Sequence, residues 1–173
     1  MELEGRDVNN VEEFVYLGSL VSWDNDCSKD IKHRIGKSTR AFQGFRKVWQ
    51  SKYTNNQTKT RLLSVRVMSV LMYAAETWTF KKSDMNQLLA FEMNCLRKIL
   101  NKRWQQRIQN KMITKRMGIS INTVQRIMER KMNFFSHICR MPDDRLIKQV
   151  VFGIMDVKRK TKTKMNRRPG GLV

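Results

Sequence analysis

Acidic residues are scarce through most of this chain. Its 173 residues include 35 Lys and Arg but only 15 Asp and Glu, which gives a formal net charge of +20. Eight of the acidic residues lie within residues 1–30, and none lies between Glu92 and Glu129, a span that holds nine Lys and Arg. A chain this basic repels itself unless a polyanion neutralises it, and nucleic acid is the first such partner to consider. We therefore expect it to bind RNA, DNA or an RNA–DNA hybrid.

Cysteines are also few. Cys27, Cys95 and Cys139 are odd in number and widely spaced, which excludes a disulfide framework and favours a reducing, intracellular compartment, either nuclear or cytoplasmic. The acidic, polar start of the chain does not resemble a secretory signal. No apolar run is long enough to span a bilayer, so we expect no membrane partner.

Metal-binding patterns are missing as well. Structural zinc requires ligand pairs at close spacing, such as C-x2-C with H-x3-H. The only close pair here is His137 and Cys139, and residues two apart on a helix point to different faces. The sequence therefore predicts no metal site and no cofactor.

The longest apolar stretch runs from Lys59 to Phe80. Between Val67 and Ala75 its only polar residue before Tyr73 is Ser69. A helix that is apolar on every side must be covered on every side, so we expect a central helix here with neighbours all round. Trp78 and Tyr73 each carry a polar atom that needs a partner within the fold.

The segments on either side of this stretch predict one hairpin and several helices. Val11–Asp24 is rich in β-branched and aromatic residues and has a Gly at its centre, which predicts two short strands with a kink at Gly18. Ser28 is the expected cap of a helix of about six turns. One apolar stripe lines that helix: Ile31, Ile35, Phe42, Phe45 and Trp49.

Further helices are predicted towards the C-terminus. One begins at Ser83-Asp84 and continues through the basic segment from Lys102 to Arg116 until Gly118. A last long helix runs from Asn122-Thr123 to Pro142. We thus expect a mainly α fold: a helical bundle with a short N-terminal β-hairpin and a disordered basic C-terminal tail. The predicted regions are residues 1–25, 26–82, 83–155 and 156–173.

Five sequence motifs, in order along the chain, resemble one family. Phe14–Ser19 (FVYLGS) is similar to its "FvYLGS" motif, and the residues Asp24, Cys27, Asp30-Ile31 and Arg34-Ile35 to "DG.c..eIkrRI". Val70–Phe80 (VLMYAAETWTF), Phe91–Trp104 (FEMNCLRKILNKRW) and Ser136–Met141 (SHICRM) resemble "vLLYGaEtWtl", "FEmwCLRrIL.i.W" and "GHvlRM". These are motifs of the endonuclease-reverse transcriptases of non-LTR retrotransposons, LINE elements of the RTE type.

The resemblance implies a C-terminal fragment of such an enzyme: the end of the palm, the thumb and the helical region after it. Tyr16, Leu17 and Gly18 would belong to the hairpin that grips the primer strand. The family's catalysis requires two metals held by palm aspartates in a Y-A-D-D motif. This chain has no such motif, and Asp143-Asp144 directly follows Pro142. We therefore predict no catalytic residue, and no polymerase or endonuclease activity for the chain on its own.

The thumb of a polymerase must hold a template–primer duplex of any sequence. Lys and Arg along helix faces, without interleaved aromatics, favour contact with the phosphate backbone over base reading. The predicted nucleic-acid-binding residues are Lys32, Arg34, Lys37, Arg40, Arg61, Arg66, Arg97, Arg103, Arg107, Lys111 and Arg126.

Two other functions stay open at this stage. Lys115–Arg130 has the pattern of a helix-turn-helix, with the turn at Gly118 and with Arg126 and Arg130 on the second helix. The same pattern is typical of a plain corner in a helical bundle. The chain could thus be a stand-alone helix-turn-helix DNA-binding protein, or a structural RNA-binding protein. The sequence gives no oligomeric state.

Overall fold

The computed structural model describes the backbone of residues 2–3 and 6–7, and residues 11–153 apart from the Trp104 side chain. In these residues the chain is mainly helical, and two short antiparallel hairpins precede the first helix. β1 (Glu2–Leu3) pairs with β2 (Arg6–Asp7), and β3 (Glu13–Tyr16) pairs with β4 (Ser19–Ser22). The predicted mainly α fold with an N-terminal hairpin is confirmed. The predicted tail, residues 156–173, lies outside the described residues.

The β3–β4 hairpin turns at Leu17 and Gly18. Tyr16 pairs with Ser19, so the loop has two residues, and φ is +47° at Leu17 and +87° at Gly18. Positive φ at both positions is the geometry that fits the twist of a tight hairpin. Gly18 adopts it without cost, whereas Leu17 is strained because its Cβ is crowded there. The predicted kink at Gly18 is confirmed.

Helix α1 (Cys27–Gly44) is shorter than predicted and begins on a different cap. The Asp26 carboxylate accepts a hydrogen bond of 3.0 Å from the Ser28 backbone N–H, so Asp26, not Ser28, is the N-cap. The helix ends at Gly44, and α2 (Arg46–Gln50) follows. The Trp49 indole donates to the carbonyl of Phe42 at 2.7 Å and stacks on that ring. The residues of the predicted stripe are thus divided between two helices. Gly is a poor helix former, which lowers the cost of ending α1 at Gly44.

The predicted central helix forms but ends at Leu71, before the end of the apolar stretch. α3 (Asn56–Leu62) leads into a π-helical turn at Leu63–Met68 and then into α4 (Ser69–Leu71). Ala74 takes the left-handed conformation at φ +57°, and a short 3-10 turn follows at Ala75–Thr77. The prediction that neighbours cover this stretch on every side is also wrong, since Val65 is 59% exposed and Tyr73 is 48% exposed. The stretch buries one side and presents the other to solvent.

Helix α5 (Lys82–Ile99) ends before the predicted basic extension. Asn101 has φ +52°. Its backbone N–H donates to the Lys98 carbonyl, and the Lys102 N–H donates to the Arg97 carbonyl at 2.8 Å. These two bonds form a Schellman motif, which ends a helix. The predicted helix from Lys102 to Arg116 is therefore wrong. A loop with a 3-10 turn at Trp104–Gln106 leads instead to α6 (Asn110–Met117).

The last helices follow their predicted caps. α6 ends at Gly118 with φ +66°. α7 (Thr123–Arg140) begins at a capping box in which Asn122 and Gln125 bond each other's backbone N–H through their side chains. Pro142 follows the end of α7, as predicted, and α8 (Leu146–Val151) comes after it.

The chain divides into two compact units, Met1–Asn133 and Phe134–Val173. The apolar core of the first unit joins side chains from α1 to the start of α7, among them Ile31, Leu63, Leu71, Trp78, Leu88, Leu96, Ile113 and Ile127. In the second unit the rings of Phe135 and Phe152 pack with centroids 5.9 Å apart. The predicted boundaries at residues 25 and 82 both fall inside the first unit, and they stay predictions.

Candidate nucleic-acid interface

Few acidic side chains reach the surface of the helices in the first unit. From Ile31 to Asn133 the sequence has 23 Lys and Arg but only four acidic residues. Asp84 and Glu92 are buried, and Glu76 is partly covered and paired with Arg130. Glu129 is thus the only fully exposed acidic residue among these four. The surface of these helices is therefore almost purely basic.

The buried acids are held by the fold itself. The Asp84 carboxylate accepts hydrogen bonds from the Ser28 hydroxyl and the Lys81 backbone N–H, both at 3.1 Å. The Glu92 carboxylate accepts one from the Thr123 N–H at the start of α7, at 3.0 Å. A carboxylate is favourable at a helix N-terminus because of the helix dipole. These negative charges thus serve packing and do not offset the surface cations in solvent.

Most of the predicted nucleic-acid-binding residues lie on this basic surface. Seven of the eleven are exposed and Lys37 is partly exposed. The seven come from α1, α3, the π-helical turn, the loop after α5, and α6: Lys32, Arg40, Arg61, Arg66, Arg103, Arg107 and Lys111. Exposed cations on several successive elements can contact a phosphate backbone without reading bases.

Arg34 does not lie on that surface, contrary to its prediction as a phosphate contact. It is 5% exposed, and its Nη2 donates to the Gly18 carbonyl at 2.6 Å. Its guanidinium also lies over the Tyr73 ring, 4.4 Å from the centroid. The reason is helical geometry: Arg34 follows Ile31 by three residues and so shares its buried face. Arg34 anchors the hairpin to α1.

Asp30 completes this anchor, and the sequence analysis missed it. Its carboxylate accepts hydrogen bonds from the Leu20 N–H at 2.9 Å and from the Trp78 indole at 2.8 Å. It also lies 3.8 Å from the Arg34 guanidinium. Three segments of the chain, β4, α1 and the one that carries Trp78, thus meet at one carboxylate that is 3% exposed. The available signal was the spacing of Asp30 and Arg34, an i,i+4 pair on the apolar face.

Tyr16, Leu17 and Gly18 lie at the hairpin turn, and their contact with a primer strand stays a prediction. The Tyr73 hydroxyl donates to the Leu17 carbonyl at 2.9 Å, next to the Gly18 carbonyl held by Arg34. The backbone of the turn is therefore fixed from the helical side. The side chains of Tyr16 and Leu17 project outward and are 62% and 75% exposed.

Two further predicted contacts have partners within the first unit. The Arg97 guanidinium donates to the Ile108 carbonyl and the Asn110 side chain, at 2.8 and 2.9 Å. It thereby braces the loop after α5. Arg126 donates to the Ser64 hydroxyl at 3.3 Å. Both side chains are only partly exposed.

The same geometry bears on the helix-turn-helix pattern. Arg126 and Arg130 would have to project from α7 into a groove of DNA. In the structure Arg130 instead donates to the Met72 carbonyl at 2.9 Å and pairs with Glu76, and Ile127 between them is fully buried. Both arginines therefore bond to other segments of the first unit while Ile127 packs inward, an arrangement typical of a corner in a helical bundle.

An ion pair on the solvent side fixes the start of α1. Lys81 Nζ lies 2.8 Å from the Asp26 carboxylate. That hydrogen bond, together with the one from the Ser28 N–H, holds the pKa of the Asp26 carboxyl well below its usual range. Burial raises the pKa of the Cys95 thiol to about 12, so this cysteine behaves as a small hydrophobe.

The described residues contain neither a cluster of metal ligands nor a membrane-spanning helix. No group of three or more His, Cys, Asp or Glu is placed to hold a metal ion in the part of the chain that the structure describes. No helix among those residues has the length and apolar character that crossing a bilayer requires.

Comparisons with known proteins give one similarity. No family model matches the chain, and no solved structure matches it. A stretch of 76 residues is 29% identical to an uncharacterised transposon-derived protein of Caenorhabditis elegans. The stretch is 44% of this chain and covers 27% of that protein's length. Over these 76 residues the chain is therefore similar to part of a transposon-derived protein.

Proposed function

We propose that this chain binds duplex nucleic acid through the phosphate backbone, as the thumb region of a retrotransposon reverse transcriptase holds template–primer. The observation that carries the proposal is the sorting of charge in the first unit. Its acids are mostly buried or paired, whereas its cations are mostly exposed on successive helices. Such a surface attracts a polyanion of any sequence and releases counterions on binding.

The exposed face of α1 supports this reading in detail. Lys32, Gly36 and Arg40 follow one another at four-residue steps, and all three are exposed. A Cβ built on Gly36 would meet nothing within 4 Å, so no packing accounts for this glycine. Gly inside a helix costs about 0.5–1 kcal/mol relative to Ala. Its place between two cations leaves room for a phosphate backbone to approach the helix closely.

A salt titration tests the proposal. Binding of random-sequence duplexes should weaken by roughly a thousandfold between 50 and 200 mM salt if about six phosphate contacts form. Lys32→Gln and Arg40→Gln should each reduce the slope of log affinity against log salt by about 1. The matched control is Lys81→Gln, because Lys81 is also exposed but already paired with Asp26. A shallow slope, or equal losses in all three variants, would contradict the proposal.

The hairpin turn is the proposed site of contact with the primer strand. Leu17 holds a strained left-handed conformation while its side chain faces solvent, and such strain is often retained for function. Asn followed by Gly is the preferred pair for this turn. Leu17→Asn should therefore raise the free energy of unfolding by about 1 kcal/mol and lower affinity for a primer–template several-fold. A stabilised variant with unchanged affinity would remove Leu17 from the interface.

The chain itself is proposed to be non-catalytic. Phosphoryl transfer by a polymerase requires carboxylates that hold two metal ions, and the family motif that supplies them is not in this sequence. Purified protein should extend no primer with Mg²⁺ or Mn²⁺. Competition between DNA, RNA and hybrid duplexes would separate this function from that of a structural RNA-binding protein, which would prefer RNA.

A further inference from the structure

A basic cavity lies between α2 and the C-terminal end of α5. Its volume is about 340 Å³, within the usual range of about 300–1,000 Å³ for small-ligand sites.

Four cations line this cavity. Arg46 comes from α2, Lys98 from the last turn of α5, and Lys102 and Arg103 from the loop after α5. None of the described residues that line it is acidic, and none of the four cations forms an ion pair with a described residue. Like charges gathered at one concave site repel one another, and a bound anion would relieve that repulsion.

The helix dipole explains only part of this cluster. Lys98 lies near the C-terminus of α5, where a cation is favourable. Arg46 is the first residue of α2, the end at which a cation is unfavourable. Lys102 and Arg103 lie beyond the helix. The helix dipole therefore does not account for the position of three of the four charges.

The floor of the cavity is aromatic. Phe42 and Trp49 line it, and their rings stack with centroids 5.1 Å apart. The Trp49 indole is fixed by its bond to the Phe42 carbonyl. Amide side chains of Gln43, Gln50 and Asn101 complete the lining and can donate or accept hydrogen bonds. Cations, aromatic edges and amides together match a phosphate joined to a flat heterocycle.

We infer that this cavity binds one unpaired nucleotide of a nucleic-acid strand, with its phosphate on Arg46 and Lys102 and its base against the aromatic floor. A second cavity of about 650 Å³ shares Trp49, Gln50 and Lys98 with the first and adds Lys52. It gives the strand a path beyond the bound nucleotide. The inference rests on the proposed binding of nucleic acid but adds a single-stranded site to it.

The test compares three probes by fluorescence anisotropy: a blunt duplex, the same duplex with a short oligothymidine overhang, and the same overhang with abasic sites. Contact of a base with an aromatic site should make the overhang bind about tenfold more tightly than the blunt end. The abasic overhang should lose this gain. An equal gain with the abasic overhang would overturn the inference, because phosphate alone would then explain it.

Matched charge reversals locate the site. Arg46→Glu and Lys102→Glu should abolish the preference for the overhang. Lys47→Glu is the control, since Lys47 is the exposed neighbour of Arg46 but does not line either cavity. Lys47→Glu should lower the affinities for the blunt and the overhang duplex equally and so leave the ratio of the two affinities unchanged. Circular dichroism confirms folding of each variant, and an unchanged ratio in folded Arg46→Glu and Lys102→Glu would overturn the inference.

The outcomes also separate this inference from the proposed function. Salt-sensitive duplex binding with no overhang preference would leave the proposed function standing and remove the cavity site. Binding of free oligothymidine that depends on Arg46, without duplex binding, would support the cavity site and remove the duplex proposal.

Discussion

The β3–β4 hairpin and the helices of the first unit bury their side chains in opposite ways. The helices enclose an apolar core and expose cations. The hairpin exposes large apolar side chains, including Val15 at 58%, Leu17 at 75% and Trp23 at 78%. It is joined to α1 and to the segment after α4 largely through hydrogen bonds to Asp30, Arg34 and Tyr73. The hairpin thus depends on directional polar contacts, whereas the helices depend on buried apolar area.

This difference fits a hairpin that belongs to a larger sheet. Two strands are rarely stable by themselves, and β3 pairs only with β4 among the described residues. All four residues of β3 are exposed. An open edge with apolar side chains is a surface on which another strand can pair. The helices, in contrast, need no further layer to cover their core.

Trp78→Ala should have the largest effect, because Trp78 belongs to both regions. Its ring is 1% exposed in the core, and its indole donates to Asp30. Loss of a large buried side chain should lower the free energy of unfolding by about 3–5 kcal/mol. Lys47→Ala is the control and should change it by less than about 0.5 kcal/mol. Equal urea midpoints for the two variants would contradict the assignment of Trp78 to the core.

Asp30→Asn should separate the two regions. It leaves the buried Arg34 charge without its carboxylate, which should cost about 3 kcal/mol. In native-state hydrogen exchange, the Leu20 amide should exchange faster than the lowered global free energy of unfolding explains. Amides of α5 should exchange as that global value predicts. Uniformly faster exchange across hairpin and helices would show that the hairpin has no separate attachment.

Tyr73→Phe removes one exposed hydrogen bond and should lower the free energy of unfolding by about 0.5 kcal/mol.

A pH titration should give the smallest effect, at the junction between the regions. The folded-state pKa of Asp26 is lowered from its ordinary value of 3.8. Its contribution to stability is therefore present above about pH 4 and is lost as the pH falls towards the folded pKa. Asp26→Asn should weaken the dependence of the melting temperature on pH below about 4. If the melting temperature of Asp26→Asn depended on acidic pH as that of the unmodified chain does, the Lys81–Asp26 contact would not persist in solution.

Local signals made much of the fold predictable. The hairpin followed from β-branched residues around Gly18, and the start of α7 followed from Asn122. The end of α5 was missed because apolar residues continue at helical spacing through Ile108 and Met112. That spacing outweighed Asn101, a residue that tolerates the left-handed conformation needed to end a helix.

The candidate site was less predictable than the fold. Exposed cations such as Arg40 could be identified because they lie off the apolar stripe of α1. Arg34 could not be separated from them by charge alone, since its burial depends on Asp30 and on a hairpin carbonyl. The cavity could not be foreseen, because Arg46 and Lys102 come from segments far apart in sequence and no local pattern joins them.

The Asp30 carboxylate also affects how the ancestry of this chain can be traced. It joins Leu20, Arg34 and Trp78, which lie in or beside three of the motifs that resemble the retrotransposon family. Substitutions of Arg34 or Trp78 would destabilise the fold, whereas substitutions of surface cations would change its stability little. We therefore expect related chains to keep these motifs longest, because folding requires them whether or not the exposed cations are retained.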